Sequence, residues 1–308
     1  MMNTRALALP ILLIVAGAFG QAGSNDPSFN PSDQGYGYGD GCWSGLSALA
    51  LQSDGKILVG GSNSNTSAFS VQGFGYGSVL VRLNANGTAD PAFNAPIVTP
   101  VVRSASRVVL QPDGKILIAG TFWTVNGVTV NNIARLNTDG SLDATFNPGG
   151  LGTDGSVYDM LLQPDGRILL TGNFTTVNGT SANKLVRLNA DGSVDGTFNA
   201  GVGPNGSSYT LALQSDGKIL VGGTFNSYNG AAAKFVVRLQ ASGTLDPSFS
   251  SAGFTNGPGS YDGVYCLALQ ADGRIVIGGS FAGYGGVACT GVARTLASGA
   301  VVGSFGLS

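Results

Sequence analysis

Asp154 and Asp262 each stand in an Asp-Gly pair just ahead of an apolar stretch. Two carboxylates in one cleft can hydrolyse a glycosidic bond, provided one is kept protonated beside the other's charge. Other catalytic arrangements do not fit the composition. The chain has no His, so a Ser-His-Asp or Cys-His relay and a His-built zinc site are both excluded. The sequence has no D-x-D-x-D-G calcium loop, and the glycines of "GYGYGDG" do not follow a strand and open a helix as a nucleotide cradle would. No cofactor and no metal are expected.

Aromatic residues suggest recognition instead of turnover. Tyr36, Tyr38, Trp43, Tyr158, Tyr209, Tyr261 and Tyr265 lie in the same class of segment as Asp154 and Asp262, and Trp123 and Tyr228 fall in other loops expected on that side. Rings beside carboxylates and amides can stack on, and hydrogen-bond, a sugar or a peptide. The predicted ligand-binding set is Tyr36, Tyr38, Trp43, Trp123, Asp154, Tyr158, Tyr209, Tyr261 and Asp262. The alternative reading is that the tyrosines cap the ends of sheets and that the two Asp-Gly pairs are only turns.

A repeated framework places these segments. The string "LQPDGKILIAGTF", starting at Leu110, has four near copies, and the Gln of each falls at Gln52, Gln111, Gln163, Gln214 and Gln270. An Arg inside an apolar run keeps step at Arg82, Arg135, Arg187, Arg238 and Arg294, with a Gly five residues on. A D-x-x-F marker follows at Asp90, Asp143, Asp195 and Asp246, and an extra copy begins at Asp26. All 17 acidic residues are Asp, and 12 sit at repeated positions, five in Q-x-D-G, five in D-x-x-F and two, Asp139 and Asp191, in the Asp-Gly turn after the Arg, which makes those 12 structural, since a catalytic site needs one constellation and not one per repeat.

Within a period the apolar runs are short and cut by Asp-Gly pairs, the strongest short hairpin signal. "ILLTG" and "KLVRL" are apolar at consecutive positions, as strands covered on both faces are. The 50 Gly suit turns between short strands and make helices improbable. The expected fold is all-β, a five-bladed β-propeller of four-stranded antiparallel blades. Each hairpin should bring Arg135 to Asp143, Arg187 to Asp195 and Arg238 to Asp246, because a buried guanidinium demands a partner. The Asp residues outside the markers, namely Asp33, Asp40, Asp154, Asp159 and Asp262, would then collect on the face opposite the Asp-Gly hairpins.

The string "LQPDGKILIAGTF...VNG...ARLNTDGSLDATFN" resembles the delta-60 repeat, a propeller-type repeat of bacterial secreted and surface proteins, across nearly all of residues 26–305. The resemblance implies a propeller and an exported location, and no assigned reaction. Two departures stand out: the first repeat carries the insert "SNSNTSAFSVQGFGYG", and the last reads "VVGSFG" where "LDATFN" is expected.

The ends complete the reading. Residues 1–22, with one Arg, an apolar run from Ala6 to about Phe19 and small residues at its end, are expected to be a signal peptide, leaving 23–308 as one propeller domain, secreted or at the cell surface. A net charge of -2 without basic clusters excludes nucleic acid as a natural partner, and no second apolar span offers membrane insertion. Of the three Cys, Cys42 and Cys289 are placed to bridge if the ring closes, and Cys266 reads as a small core residue. Val302 stands where the other repeats place Asp, so the surplus Asp26 is expected to pair with Arg294, with residues 26–30 completing the fifth blade and 299–305 displaced. These expectations describe an exported binding or surface-display module for a glycan, peptide or protein, with a carbohydrate-active enzyme using Asp154 and Asp262 as the alternative.

Overall fold

A computed structural model describes residues 46–63, 79–94, 98–99, 103–257 and 262–302. All regular structure among them is β. In the third repeat, strand Val157–Leu162 pairs antiparallel with Ile168–Gly172, which pairs in turn with Leu185–Leu188. The turn between the first two is made by Gln163–Arg167: the Gln163 amide donates to the Arg167 carbonyl at 2.7 Å, and the Gly166 amide donates to the Gln163 carbonyl at 3.0 Å. Gly166 sits at φ +85°, a conformation that costs an L side chain energy, and the Asp165 carboxylate accepts from the Arg167 amide at 3.0 Å. These are the reasons the Q-x-D-G string recurs.

The first, second and fourth repeats and the last follow the same three-strand order. Four-stranded blades are therefore not what forms. The fourth position is a single bridge in each repeat, Leu83 to Ala89, Leu136 to Leu142, Leu188 to Val194, Leu239 to Leu245 and Thr295 to Val301. It stops there because the D-x-x-F segment must leave the sheet at once to reach the following repeat. The last of these bridges shows that Val301 is not displaced from the last repeat as expected, and residues 26–30, Asp26 among them, expected to complete that repeat, lie outside the described residues.

Successive repeats pack face to face. The middle and third strands are buried along their length in the second, third and fourth repeats, apart from the half-buried Thr121 at the end of one. One core joins the first repeat to the second through Leu58, Leu80, Val108 and Ile118, and another joins the second to the third through Leu117, Met160 and Leu170. Leu169, Leu211 and Val221 continue it, as do Leu220, Val264 and Ile277 between the last two repeats. The first strands follow one another in the same order, Leu46–Leu51 packing on Arg103–Leu110 and so on to Gly263–Leu269. Val108, Met160, Leu211 and Leu267 share one register position, each turned back toward the preceding repeat. Leu49, at that position in the first repeat, is 42% exposed, and Leu51 is 61% exposed.

Ion pairs lock this stack. Arg135 Nε donates to Asp143 Oδ2 at 2.7 Å, and Arg82–Asp90, Arg187–Asp195 and Arg238–Asp246 repeat the contact at 2.7, 2.7 and 2.8 Å. The second cation on each carboxylate comes from the Q-x-D-G-K/R turn, as Lys115 Nζ does on Asp143 at 2.8 Å. The other end of the guanidinium reaches forward: Arg82 Nη1 donates to Thr138 O, Arg135 to Ala190 O, Arg187 to Ala241 O and Arg238 to Ala297 O, all in the next repeat. The Phe of D-x-x-F lies under the same guanidinium, 4.7 to 5.0 Å from it in the four repeats.

Two predictions follow from this network. Asp143→Ala strands a buried guanidinium, and denaturant unfolding should show a loss on the order of 3–5 kcal/mol; an unchanged midpoint would refute the burial argument. The second concerns acid. Lys56 first, with backbone and Arg82 donors, holds Asp90 at about 2; burial pushes Asp195 and Asp246 up, but their hydroxyl, amide and guanidinium donors prevail and hold both at about 2. The unfolded chain, with ordinary carboxylates near about 3.9, takes up protons first as pH falls. The stabilisation should be complete above about pH 4 and lost as pH falls through about 2, so thermal melts should be flat down to about pH 4 and drop between about pH 4 and about pH 2.

Candidate functional site

Every first strand carries a β-bulge at the same register position. The ladder slips at Ser47, Ser106, Tyr158, Tyr209 and Tyr265, in repeats one to five. A bulge re-aims the side chain of its extra residue. In the last three repeats that residue is Tyr, and the rings meet across the repeat boundaries. Tyr158 and Tyr209 stack with centroids 5.1 Å apart at 20°, and Tyr265 meets Tyr209 edge-on at 5.4 Å and 61°. Tyr265, at the end of the run, is 39% exposed. In the first two repeats serines take over, with Ser47 Oγ donating to the Ala105 carbonyl at 2.6 Å and Ser106 Oγ 3.3 Å from Ser104 Oγ.

Burial raises the pKa of the Tyr158 hydroxyl, with the Tyr209 ring adding to the effect, and burial likewise raises that of Tyr265. Both stay protonated at neutral pH and act as hydrogen-bond donors and not as bases. Tyr158 shares a hydrogen bond with the exposed Asn173.

The position after the bulge ties the second, third and fourth repeats together. Arg107 Nε donates to Asp159 Oδ1 at 2.6 Å, and Asp159 Oδ2 accepts from the Leu211 amide of the next repeat at 2.7 Å. Asp159 is buried, so this unrepeated acid is a strut and not an exposed loop group. Cys266 has the corresponding place in the last repeat and is an exposed free thiol, which corrects the expectation of a core residue. No described repeat follows to cover it. Cys289 is also free, and Cys42 lies outside the described residues.

Asp154 caps a turn. Its Oδ1 accepts from the Thr175 and Thr176 amides at 2.7 and 2.9 Å, and its Oδ2 from the Thr175 hydroxyl at 2.5 Å. Burial tends to raise its pKa, but these donors outweigh it and hold the carboxyl below its usual value. A general acid needs the opposite shift. Asn205 does the same work one repeat on, accepting from the Asn226 and Ser227 amides at 3.0 and 3.1 Å. Asp262 accepts from the Gly257 amide at 3.0 Å.

Trp123 is 55% exposed, whereas Tyr228 is fully buried in the core between the third and fourth repeats instead of facing the loop side. Tyr36, Tyr38, Trp43 and Tyr261 lie outside the described residues. The structure thus brings Tyr158 and Tyr209 of the predicted set together, and adds Tyr265. Sequence reasoning could have found this run from the aligned "VYD", "SYT" and "VYC" of consecutive repeats. Asp154→Ala should cost about 0.5–2 kcal/mol through the lost cap, read as a small Tm decrease with the remaining fold intact; no decrease would mean the turn holds without it.

Comparison with known proteins agrees on the fold. The family described as "Domain of unknown function (DUF5122) beta-propeller" matches at residues 52–93, 111–146, 163–198, 214–249 and 270–301. No curated protein matches. Among solved structures, the extracellular domain of the putative one-component system BT4673 from B. thetaiotaomicron is 12% identical with a TM-score of 0.44, over 82% of this chain and 27% of that one. A gluconolactonase from Xanthomonas campestris is 13% identical, TM-score 0.44, over 75% and 68%. PorZ, a surface component of the type-IX secretion system of Porphyromonas gingivalis, is 11% identical, TM-score 0.47, over 84% and 33%. The chain thus spans about a quarter of the first of these and a third of the last, and the TM-scores are too low to carry any function across. Five matches in register with the five Q-x-D-G turns make the chain a member of the DUF5122 β-propeller family.

Proposed function

We propose that this protein is an exported propeller that binds a ligand and performs no chemistry of its own. Residues 1–22 are its signal peptide, 23–308 its single domain, and its five repeats supply five blades in a secreted or surface-displayed protein. The observation that carries the reading is the run of Tyr158, Tyr209 and Tyr265 on consecutive bulges, three phenol rings in mutual contact with the amide side chain of Asn173 beside Tyr158. Aromatic faces and neutral donors suit the apolar faces and hydroxyls of a glycan, or the side chains and backbone of a peptide.

The carbohydrate-active alternative is weakened by Asp154, whose carboxyl is held ionised by donors of its own loop. A glycan and peptide array on residues 23–308 tests the proposal. Binding should appear, should fall at least about tenfold in Tyr265→Ala, which removes the exposed end of the run, and should be accompanied by no turnover. Hydrolysis of an array glycan that disappears in Asp154→Asn would sink the proposal, as would binding indifferent to both Tyr265→Ala and Tyr209→Ala in folded protein.

A further inference from the structure

The three tyrosines of the ring run do not share one setting. Tyr158 and Tyr209 stand nearly parallel, 20° apart, and so cover each other's facing sides, whereas Tyr265 is turned 61° against Tyr209. The exposed end of the run is thus a corner between two rings and not a flat platform on which successive sugar rings could lie.

The residue three places before each ring divides them in the same way. Gly155 precedes Tyr158 and Gly206 precedes Tyr209, and neither place has room for a side chain. A Cβ on Gly155 would stand 2.8 Å from Asn173 Oδ1 and 2.9 Å from Phe174 Cα, and one on Gly206 would stand 2.8 Å from Phe225 Cα. Before Tyr265 the same place carries Asp262, half-buried and one residue ahead of strand Gly263–Leu269. The loop ahead of it is shaped to hold an acid there, since the Gly257 amide donates to Asp262 Oδ1 at 3.0 Å.

Charge sets this end apart from the other. Asp159, next to Tyr158 in the chain, is paired with Arg107 at 2.6 Å. Among the described residues no Lys or Arg forms an ion pair with Asp262. Its carboxylate acts on the ring: burial first, then Tyr209 and Asp262, raise the pKa of the Tyr265 hydroxyl. The corner therefore consists of two neutral rings and one negative group.

We propose that the corner of Tyr209, Tyr265 and Asp262 receives the cationic side chain of a basic peptide, a Lys or Arg of the ligand; this rests on the reading of the ring run as the binding site. A ring face attracts a cation, and a carboxylate beside it supplies the opposite charge. The aliphatic stem of Lys or Arg packs on the rings while its head reaches the carboxylate. A neutral sugar would gain the ring contact and leave Asp262 unanswered.

Saturation-transfer NMR titrations of the full chain test this with acetyl-Gly-Lys-Gly-Lys-Gly-amide and its copy with norleucine in place of lysine. The lysine peptide should bind at least about fivefold more tightly. That preference should shrink as salt is added and should vanish in Asp262→Asn, which keeps an acceptor for the Gly257 amide but removes the charge. Absent or equal binding of the two peptides would overturn the proposal without any change to the protein, and so would a lysine preference that survives Asp262→Asn. A glucosamine oligomer bound more tightly than the lysine peptide would assign the corner to an amino sugar instead. A neutral oligosaccharide or norleucine peptide that binds and is lost in Tyr265→Ala, with no advantage for lysine, would sink the cation and leave the ring run standing. Indifference of every probe to Tyr265→Ala would sink both.

Discussion

A buried guanidinium cannot be left unsatisfied, and the way this chain satisfies four of them organises the whole stack. Nε faces the repeat's own Asp, Nη1 faces the carbonyl of the next repeat's turn, and the planar face lies on Phe. Arg suits this task where Lys would not, since a rigid fork can engage two directions at once while a ring takes its face. The ion pair's Coulombic gain is offset by desolvation, so its value lies in geometry. It fixes the angle at which one sheet meets the following one, and the apolar cores between sheets then assemble around a joint whose position is already set.

The same joint explains why the sheets have three paired strands and a single bridge. The backbone must break away after Asp143, Asp195 or Asp246 to deliver Phe and the next amide to the neighbouring turn. A longer fourth strand would keep those groups at home. Residue spacing alone showed Arg and Asp eight apart across a tight turn, and so made their meeting legible. It did not show that the bond network continues across the boundary, because the acceptors, Thr138, Ala190, Ala241 and Ala297, use backbone carbonyls and leave no mark in residue type.

The candidate site was legible to a similar depth. Tyr158 and Tyr209 could be picked out as unrepeated aromatics near strand starts, but the bulge that aims them is a backbone irregularity without a Gly or Pro to announce it. Asp159 and Cys266 were misread for a related reason. Both occupy the place after the bulge, and whether that place is buried depends on whether a further repeat covers it. Asp154 looked chemically poised only while its neighbours were unknown; the amides of Thr175 and Thr176 turn it into part of a loop.

Every described D-x-x-F segment reaches the turn of the next repeat, so each joint is built between nearest neighbours alone. A further copy of about 50 residues, inserted between Asn147 and Gln163, would carry the groups for both of its own joints. What limits such growth is the angle that the joint sets between neighbouring sheets: the smaller the turn per repeat, the more repeats a closed circle holds, so the contact geometry of one boundary counts the blades of the whole.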